Sequence, residues 1–343
     1  MVQGFTRFRK IQVGKQSVIG TAVPATRVLP YRSAIVLDPH LTDPDVDVGS
    51  LDPVLGPYAS AQEASMSGAQ GPQTFDDLSV RLSAGIKGGV APTGNAVAGY
   101  TWTYTAASLT ADAFDYYSCE TGDDTADSGG SGILGFGGVI NQFSMTMPET
   151  LEPWTVSDDW VFAGATYGNR VNSLTVTSSP IWAFGADTSF YLDTNAGAIG
   201  ATRIADAVRG AQLTINNNLD LKRYANGSNS RFTLGAFGRG PRTIELQLTV
   251  EKTAAMIAEA ITLDDTPTTP LRYIKISCNS TENAGSGGTK AKFEFYLPVR
   301  LYNVTEGEIG GNTNYTFTYH GRYDATLAYA FKAVVLNSLS ALP

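Results

Sequence analysis

Few residues of this chain have the types and spacing that chemistry requires. There are two histidines, His40 and His320. His40 lies in a Pro/Asp-rich stretch, and His320 ends a strand-like run just before Gly321. Neither has a nucleophile beside it in a recognisable triad motif. Cys119 and Cys278 are too scattered among the histidines to offer zinc-ligand spacing. Asp43, Asp45 and Asp47 alternate as calcium ligands do. However, Gly49 falls one place late for an EF-hand, and Val54 stands where a bidentate Glu is needed. A solvated acidic loop is the expectation there, and likewise at Asp123, Asp124 and Asp127. The run Gly132 to Gly138 lacks the Lys-Ser/Thr of a phosphate cradle, so a flexible, close-packing loop is expected. Tyr100, Trp102 and Tyr104 share one face of a strand-like run. Exposed, they would stack on sugars or bases; packing in a core is the expectation. No catalytic, cofactor-binding or metal-binding residue is assigned, and the chain is not expected to be an enzyme.

The elements around the cysteines repeat. Cys119 closes the run from Ala113, and Cys278 closes the run from Leu271. Each is followed by a polar, Gly-rich stretch, Glu120 to Gly132 and Asn279 to Gly288. Each stretch leads into a long β pattern, Val139 to Met147 and Phe293 to Leu301. Each pattern is followed by a polar turn region and a further strand-like run, Trp160 to Gly164 and Tyr315 to Gly321. Repeats govern the fold assignment wherever they exist. The order predicts one β module occurring twice in tandem.

Composition agrees. A chain of 343 residues suits roughly two domains of about 150 residues. Apolar residues make up 43%, enough for a core, whereas charged residues are only 16%, below the usual quarter or so. Low charge with abundant Thr, Ser, Asn and aromatics points to an all-β subunit whose surfaces are meant to be covered. The net charge of −8 argues against gripping nucleic acid, which needs clustered Lys and Arg. Met1 to Lys10 is basic and aromatic, but from Ile11 onward the chain alternates with polar residues and has no apolar h-region, so no leader is expected. No run approaches the length of a membrane span, so no membrane partner is expected. Both cysteines are expected as free, packed thiols.

Along the chain, residues 1–27 read as an N-terminal arm with a strand-like piece at Phe8 to Val13. Residues 28–173 read as the first module and 174–343 as the second. In the first, Arg27 to Leu37 reads as a strand, Leu41 to Thr74 as a long loop, and Phe75 to Ala84 as an alternating strand. In the second, Leu174 to Val176, Ile181 to Phe184, Ser189 to Leu192, Val208 to Asn218, Arg231 to Leu234 and Thr243 to Val250 read as strands. Thr253 to Leu263 is the one good helix signal, with Thr253 as its cap. Ala325 to Leu339 reads as a strand or a short helix. The fold class predicted is mainly β: two sandwich or barrel modules, each with at most one short helix, plus extended arms and loops.

The opening Val13-Gly14-Lys15-Gln16-Ser17-Val18-Ile19-Gly20-Thr21-Ala22-Val23-Pro24-Ala25-Thr26 resembles the start of the major tail tube proteins of long-tailed, siphovirus-like bacteriophages. The order of strand, long loop, paired long strands and helix is similar too. That resemblance implies a structural virion protein that stacks as rings into a hollow tail tube, through which DNA is delivered to the host. It implies assembly in the host cytoplasm and a place in the phage tail. Three chains with pseudo-sixfold symmetry per ring are expected, with six chains as the alternative, and the rings stack axially. Tape measure and tail-end proteins are the implied partners, and DNA passes without specific binding. No cofactor is implied. The competing expectation is a secreted carbohydrate-binding or adhesin-like β protein, which requires an export signal and an exposed aromatic platform.

Overall fold

The computed structural model describes residues 9–44, 56–59, 61–106, 113–123, 132–168, 174–223, 235–265 and 269–343. The first half contains β1 (Arg9–Gln16), β2 (Arg27–Leu29), β3 (Val36–Asp38), β4 (Leu41–Thr42), β5 (Tyr58–Ala59), β6 (Glu63–Pro72), α1 (Phe75–Gly85), β7 (Thr93–Asn95), β8 (Gly99–Thr105), β9 (Tyr116–Asp123), β10 (Gly132–Met147), β11 (Thr155–Phe162) and β12 (Gly164–Gly168). The second contains β13 (Thr188–Thr194), β14 (Val208–Asn216), β15 (Leu219–Lys222), β16 (Ala236–Arg239), β17 (Thr243–Glu251), α2 (Ala254–Asp265), β18 (Leu271–Asn283), β19 (Lys290–Ile309), β20 (Asn312–Gly321) and β21 (Lys332–Asn337). The chain is mainly β, as expected, and every paired strand is antiparallel.

The pairing scheme occurs twice. In the first half β1 pairs with β9, β9 with β10, β10 with β11 and β12, β11 with β6, and β6 with β3. In the second half β13 pairs with β18, β18 with β19, β19 with β20 and β21, β20 with β17, and β17 with β14. A helix follows β6 in one half and β17 in the other. The long central strands carry a register shift at matching places, between Ile140 and Gln142 and between Leu301 and Asn303. Bulges of this kind bend a strand and let it leave one sheet for another. Among the described residues, only the first half has a hairpin, β7–β8, between its helix and its cysteine strand. That insertion explains why the helix caps Thr74 and Thr253 lie further apart in sequence than Cys119 and Cys278 do.

The halves are joined, not merely adjacent. β14 pairs with β10 as well as with β17, so one sheet runs β3–β6–β11–β10–β14–β17–β20–β19. The inserted β8 crosses over to pair with β21. One hydrophobic cluster includes Ile11 and Trp160 from the first half and Leu246 and Phe295 from the second. Alternation along the strands builds it: Ile244, Leu246, Leu248 and Val250 of β17 are buried, and the residues between them are not.

Several sequence expectations are corrected. Phe75 to Ala84 is a helix, not a strand. The Thr74 hydroxyl accepts the Asp77 N–H at 3.0 Å, and Asp76 and Asp77 complement the helix N-terminus. The alternation of Val80, Leu82 and Ala84 with Ser79, Arg81 and Ser83 looked strand-like. All six are buried, because α1 is enclosed on every side, so polarity does not mark an outer face. Leu41 to Thr74 is not one long loop, since it holds β6. The inward side chains of β6 are Met66 and the small Ala64 and Ala69, so a single large apolar residue carries its alternation. Gly132 to Gly138 is strand, not loop. A Cβ on Gly135 or Gly138 would sit 2.6 Å or 2.7 Å from the Phe162 ring, so glycine here lets an aromatic pack on the backbone.

Arg27 to Leu37 breaks into β2, a bridge at Arg32 and β3. The strand within residues 1–27 is integral to the first sheet: Ile11 and Val13 of β1 are buried. Leu174 to Val176 is not strand, and Ile181 to Phe184 supplies isolated bridges, at Trp182 and Phe184. Arg231 to Leu234 lies outside the described residues. Ala325 to Leu339 contributes β21.

Candidate functional site

The eight-stranded sheet buries one face in the core and leaves the other uncovered. The core face carries Phe143, Met145, Leu213, Ile215, Leu246, Leu248, Phe317 and Tyr319, all buried. Since successive residues of a strand face opposite ways, the residues between these belong to the other face. Cross-strand register lines them up in rows. One row runs Thr155, Thr146, Gln212, Gln247, Thr318 and Asn303 across six strands from both halves. A second runs Ser144, Thr214, Glu245 and His320, and a third contains Thr249, Thr316 and Thr305. Hydroxyls meet within these rows: Ser144 with Thr214 and Thr249 with Thr316, each at 3.4 Å.

The face is polar yet sparsely charged. Its carboxylates include Glu245 and Glu251, whose side chains keep 44% and 39% of their surface exposed. Glu251 accepts a hydrogen bond from Arg209 Nη1 at 3.2 Å, and Glu245 lies 3.8 Å from His320 Nε2. His320 also stacks on Tyr302, with ring centroids 4.1 Å apart. Chemically this is a hydrated wall of hydroxyl and amide groups. Its basic groups gather at one end, where Arg242, Arg322 and His320 surround Glu245, and Arg300 is the cross-strand partner of His320.

Behind the wall α1 is tied to the sheet by a buried ion pair. Arg81 of α1 donates from Nε and Nη2 to both carboxylate oxygens of Asp158 on β11, each at 2.5 Å. Its Nη2 also reaches the Ser144 carbonyl at 2.9 Å, and Nη1 reaches the Gln73 side-chain carbonyl. Both charged side chains are fully buried. The counterparts across the repeat, Ala260 and Phe317, are apolar, so this device belongs to the first half alone.

The residues singled out from sequence are not brought together. His40 stands beside Asp38 and Glu63 on the first half, far along the chain from His320 and its partner Glu245. Cys119 and Cys278 are free and buried on the matching strands β9 and β18. Burial raises both thiol pKa values, that of Cys278 to about 12, so neither is a ready nucleophile at neutral pH. Trp102 and Tyr104 are packed in the core, so they form no exposed platform. Asp45, Asp47, Asp124 and Asp127 lie outside the described residues. Among the described residues no group of three metal-ligating side chains converges, and no helix is long and apolar enough to cross a membrane.

The polar wall itself escaped sequence reading. Its signal was present in the central strands: β14 and β20 alternate Gln, Thr or Asn with apolar residues, and β17 does so with Glu245 and Glu251 as its only charges. No protein-family model matches the chain, and no curated protein sequence matches it.

Proposed function

We propose that this chain is a structural virion protein, the repeating subunit of a long-tailed phage tail tube. Three chains, each supplying two modules, form a ring of pseudo-sixfold symmetry, and rings stack into a hollow tube for DNA delivery. One observation carries the reading: the same pairing scheme occurs twice, and the halves are already joined edge to edge in one sheet with a sparsely charged, uncovered face. Repeating such a junction between copies would close a wall around a bore. The Thr-Gln-Asn rows would line it, with Glu245 and Glu251 among its charges. Hydroxyl and amide groups hold water, and carboxylates repel phosphates, so DNA would slide and not adhere.

Negative-stain microscopy of the purified protein tests the proposal. Rings or tubes of uniform diameter with sixfold end-on views are expected at high protein concentration. Dispersed monomers at every concentration, or particles that retain duplex DNA at physiological salt, would refute it.

A further inference from the structure

The junction between the halves specifies where the next copy attaches. At β10 two strands share one edge in succession: β9 pairs with residues 133–138, and β14 takes over along Gln142–Met147. At β19, the counterpart of β10, β18 pairs with the same edge as far as Arg300. Beyond that point, past the shared bulge, Asn303–Ile309 pair only with β20, and among the described residues no strand takes β14's place. Tyr302, Asn303, Thr305, Glu306, Gly307 and Glu308 are exposed.

The missing occupant exists at the opposite end of the chain. β14 lies against β17 as β3 and the bridge at Arg32 lie against β6. β14 has a second partner, whereas β3 has none among the described residues, and Val36 on it is 60% exposed.

A second element independently shows the same vacancy. α1 packs on β10 of its own half and on β19 and β21 of the other half. It is buried throughout most of its length. α2, its counterpart, leaves Ala254, Ile257, Ala258 and Ile261 exposed, with Ile257 at 37% and Ile261 at 47%. Their spacing puts them on one stripe of the helix.

We infer that the β19 edge Asn303–Glu308 pairs antiparallel with Ser33–Asp38 of a second copy of this chain, while the α2 stripe rests on that copy's β12. This names the contact on which the tube proposed above depends. Transferring the β10–β14 register through the repeat sets the partners. Gln142 with Asn216 becomes Asn303 with Asp38, and Ser144 with Thr214 becomes Thr305 with Val36. Phe143 with Ile215, both buried, becomes Val304 with Leu37, two half-buried apolar residues at the core margin. The contact is heterologous, one end of a copy against the other end of the next, so it propagates and does not stop at a dimer. It also covers two exposed features that a free monomer leaves unprotected, an open strand edge and an apolar helix stripe.

The test mixes a Thr305→Cys chain with a Val36→Cys chain under a mild oxidant. The native thiols are buried and stay silent. A covalent dimer is expected from the mixture and not from either chain alone. Independently, Ile257→Asp with Ile261→Asp should keep the monomer's melting temperature and abolish assembly. Tubes that form without the Thr305→Cys/Val36→Cys cross-link, or that form normally with both Asp substitutions, would overturn this contact and leave the tube standing. A wild-type chain that never assembles would overturn both.

Discussion

Replacing Arg81 by Met should be among the most damaging single changes in the chain. Arg81 and Asp158 have no exposed surface. The guanidinium meets both Asp158 oxygens, the Ser144 carbonyl and Gln73, and lies 4.3 Å from the centre of the Phe143 ring. Burial is the largest influence on Arg81 and opposes its charge, yet Asp158 together with Tyr31 and Asp77 keeps its pKa raised, while burial raises the pKa of Asp158 in spite of Arg81. Met fills similar space but leaves Asp158 buried, with the Ser144 N–H at 3.2 Å as its remaining donor. Stranding one member of a buried pair costs about 3–5 kcal/mol. For one cooperative unit of this size that lowers the melting temperature by roughly 4–7 °C. Urea unfolding followed by tryptophan fluorescence reads the loss, since Trp160 and Trp154 are buried in the same core. Arg81→Met with Asp158→Leu should recover part of it, because no charge is stranded. Ser144 and Gln73 still lose their partner, so a deficit of about 1–3 kcal/mol should persist. The reasoning fails if Arg81→Met costs under about 1 kcal/mol, or if the double variant is less stable than the single.

Three further outcomes follow from local geometry. Gly135→Ala should destabilise by about 1–3 kcal/mol through its clash with the Phe162 ring, and Phe162→Leu should restore part of the loss, as measured by urea unfolding. A thiol reagent at neutral pH should modify neither Cys119 nor Cys278 in the folded chain and both after unfolding; rapid labelling of the native protein would contradict their burial. At Glu294, burial raises the carboxyl pKa but Lys275, Tyr296 and Lys292 outweigh it, so the folded value lies below 4.5. Its contribution is therefore present above that pH and lost as acid takes the pH through the lower folded value. A Glu294→Gln variant should show a flatter loss of stability on acidification than the parent does; an unchanged acid limb would count against the Lys275 contact at 2.9 Å.

The repeat was legible in sequence because it rests on the order and spacing of strong strands. β9, β10, β18 and β19 carry large apolar and aromatic residues with clear alternation, and each cysteine strand is followed by a polar stretch. α2 was legible from its cap, since the Thr253 hydroxyl accepts the Met256 N–H at 3.4 Å, and from the helical spacing of Met256, Ile257 and Ala260. α1 was not, because Ser79 to Ala84 alternate polar and apolar as a strand does, and the helix is enclosed, so Ser79, Arg81 and Ser83 are as buried as Leu78 and Leu82. β6 was missed for a related reason, since Ala and Gly in a strand pack closely without an apolar signature.

Local sequence thus determined the β character, the tandem order, the buried free thiols and the low surface charge. Tertiary structure alone decided which strands became neighbours. The junction of β10 with β14, the crossing of β8 to β21 and the uncovered edge of β19 depend on partners tens to hundreds of residues away. Backbone hydrogen bonding is chemically alike along every strand, so no single segment states its partner. The choice is made when the whole core closes, and that closure is what leaves the rows of Thr, Gln and Asn on one continuous open face.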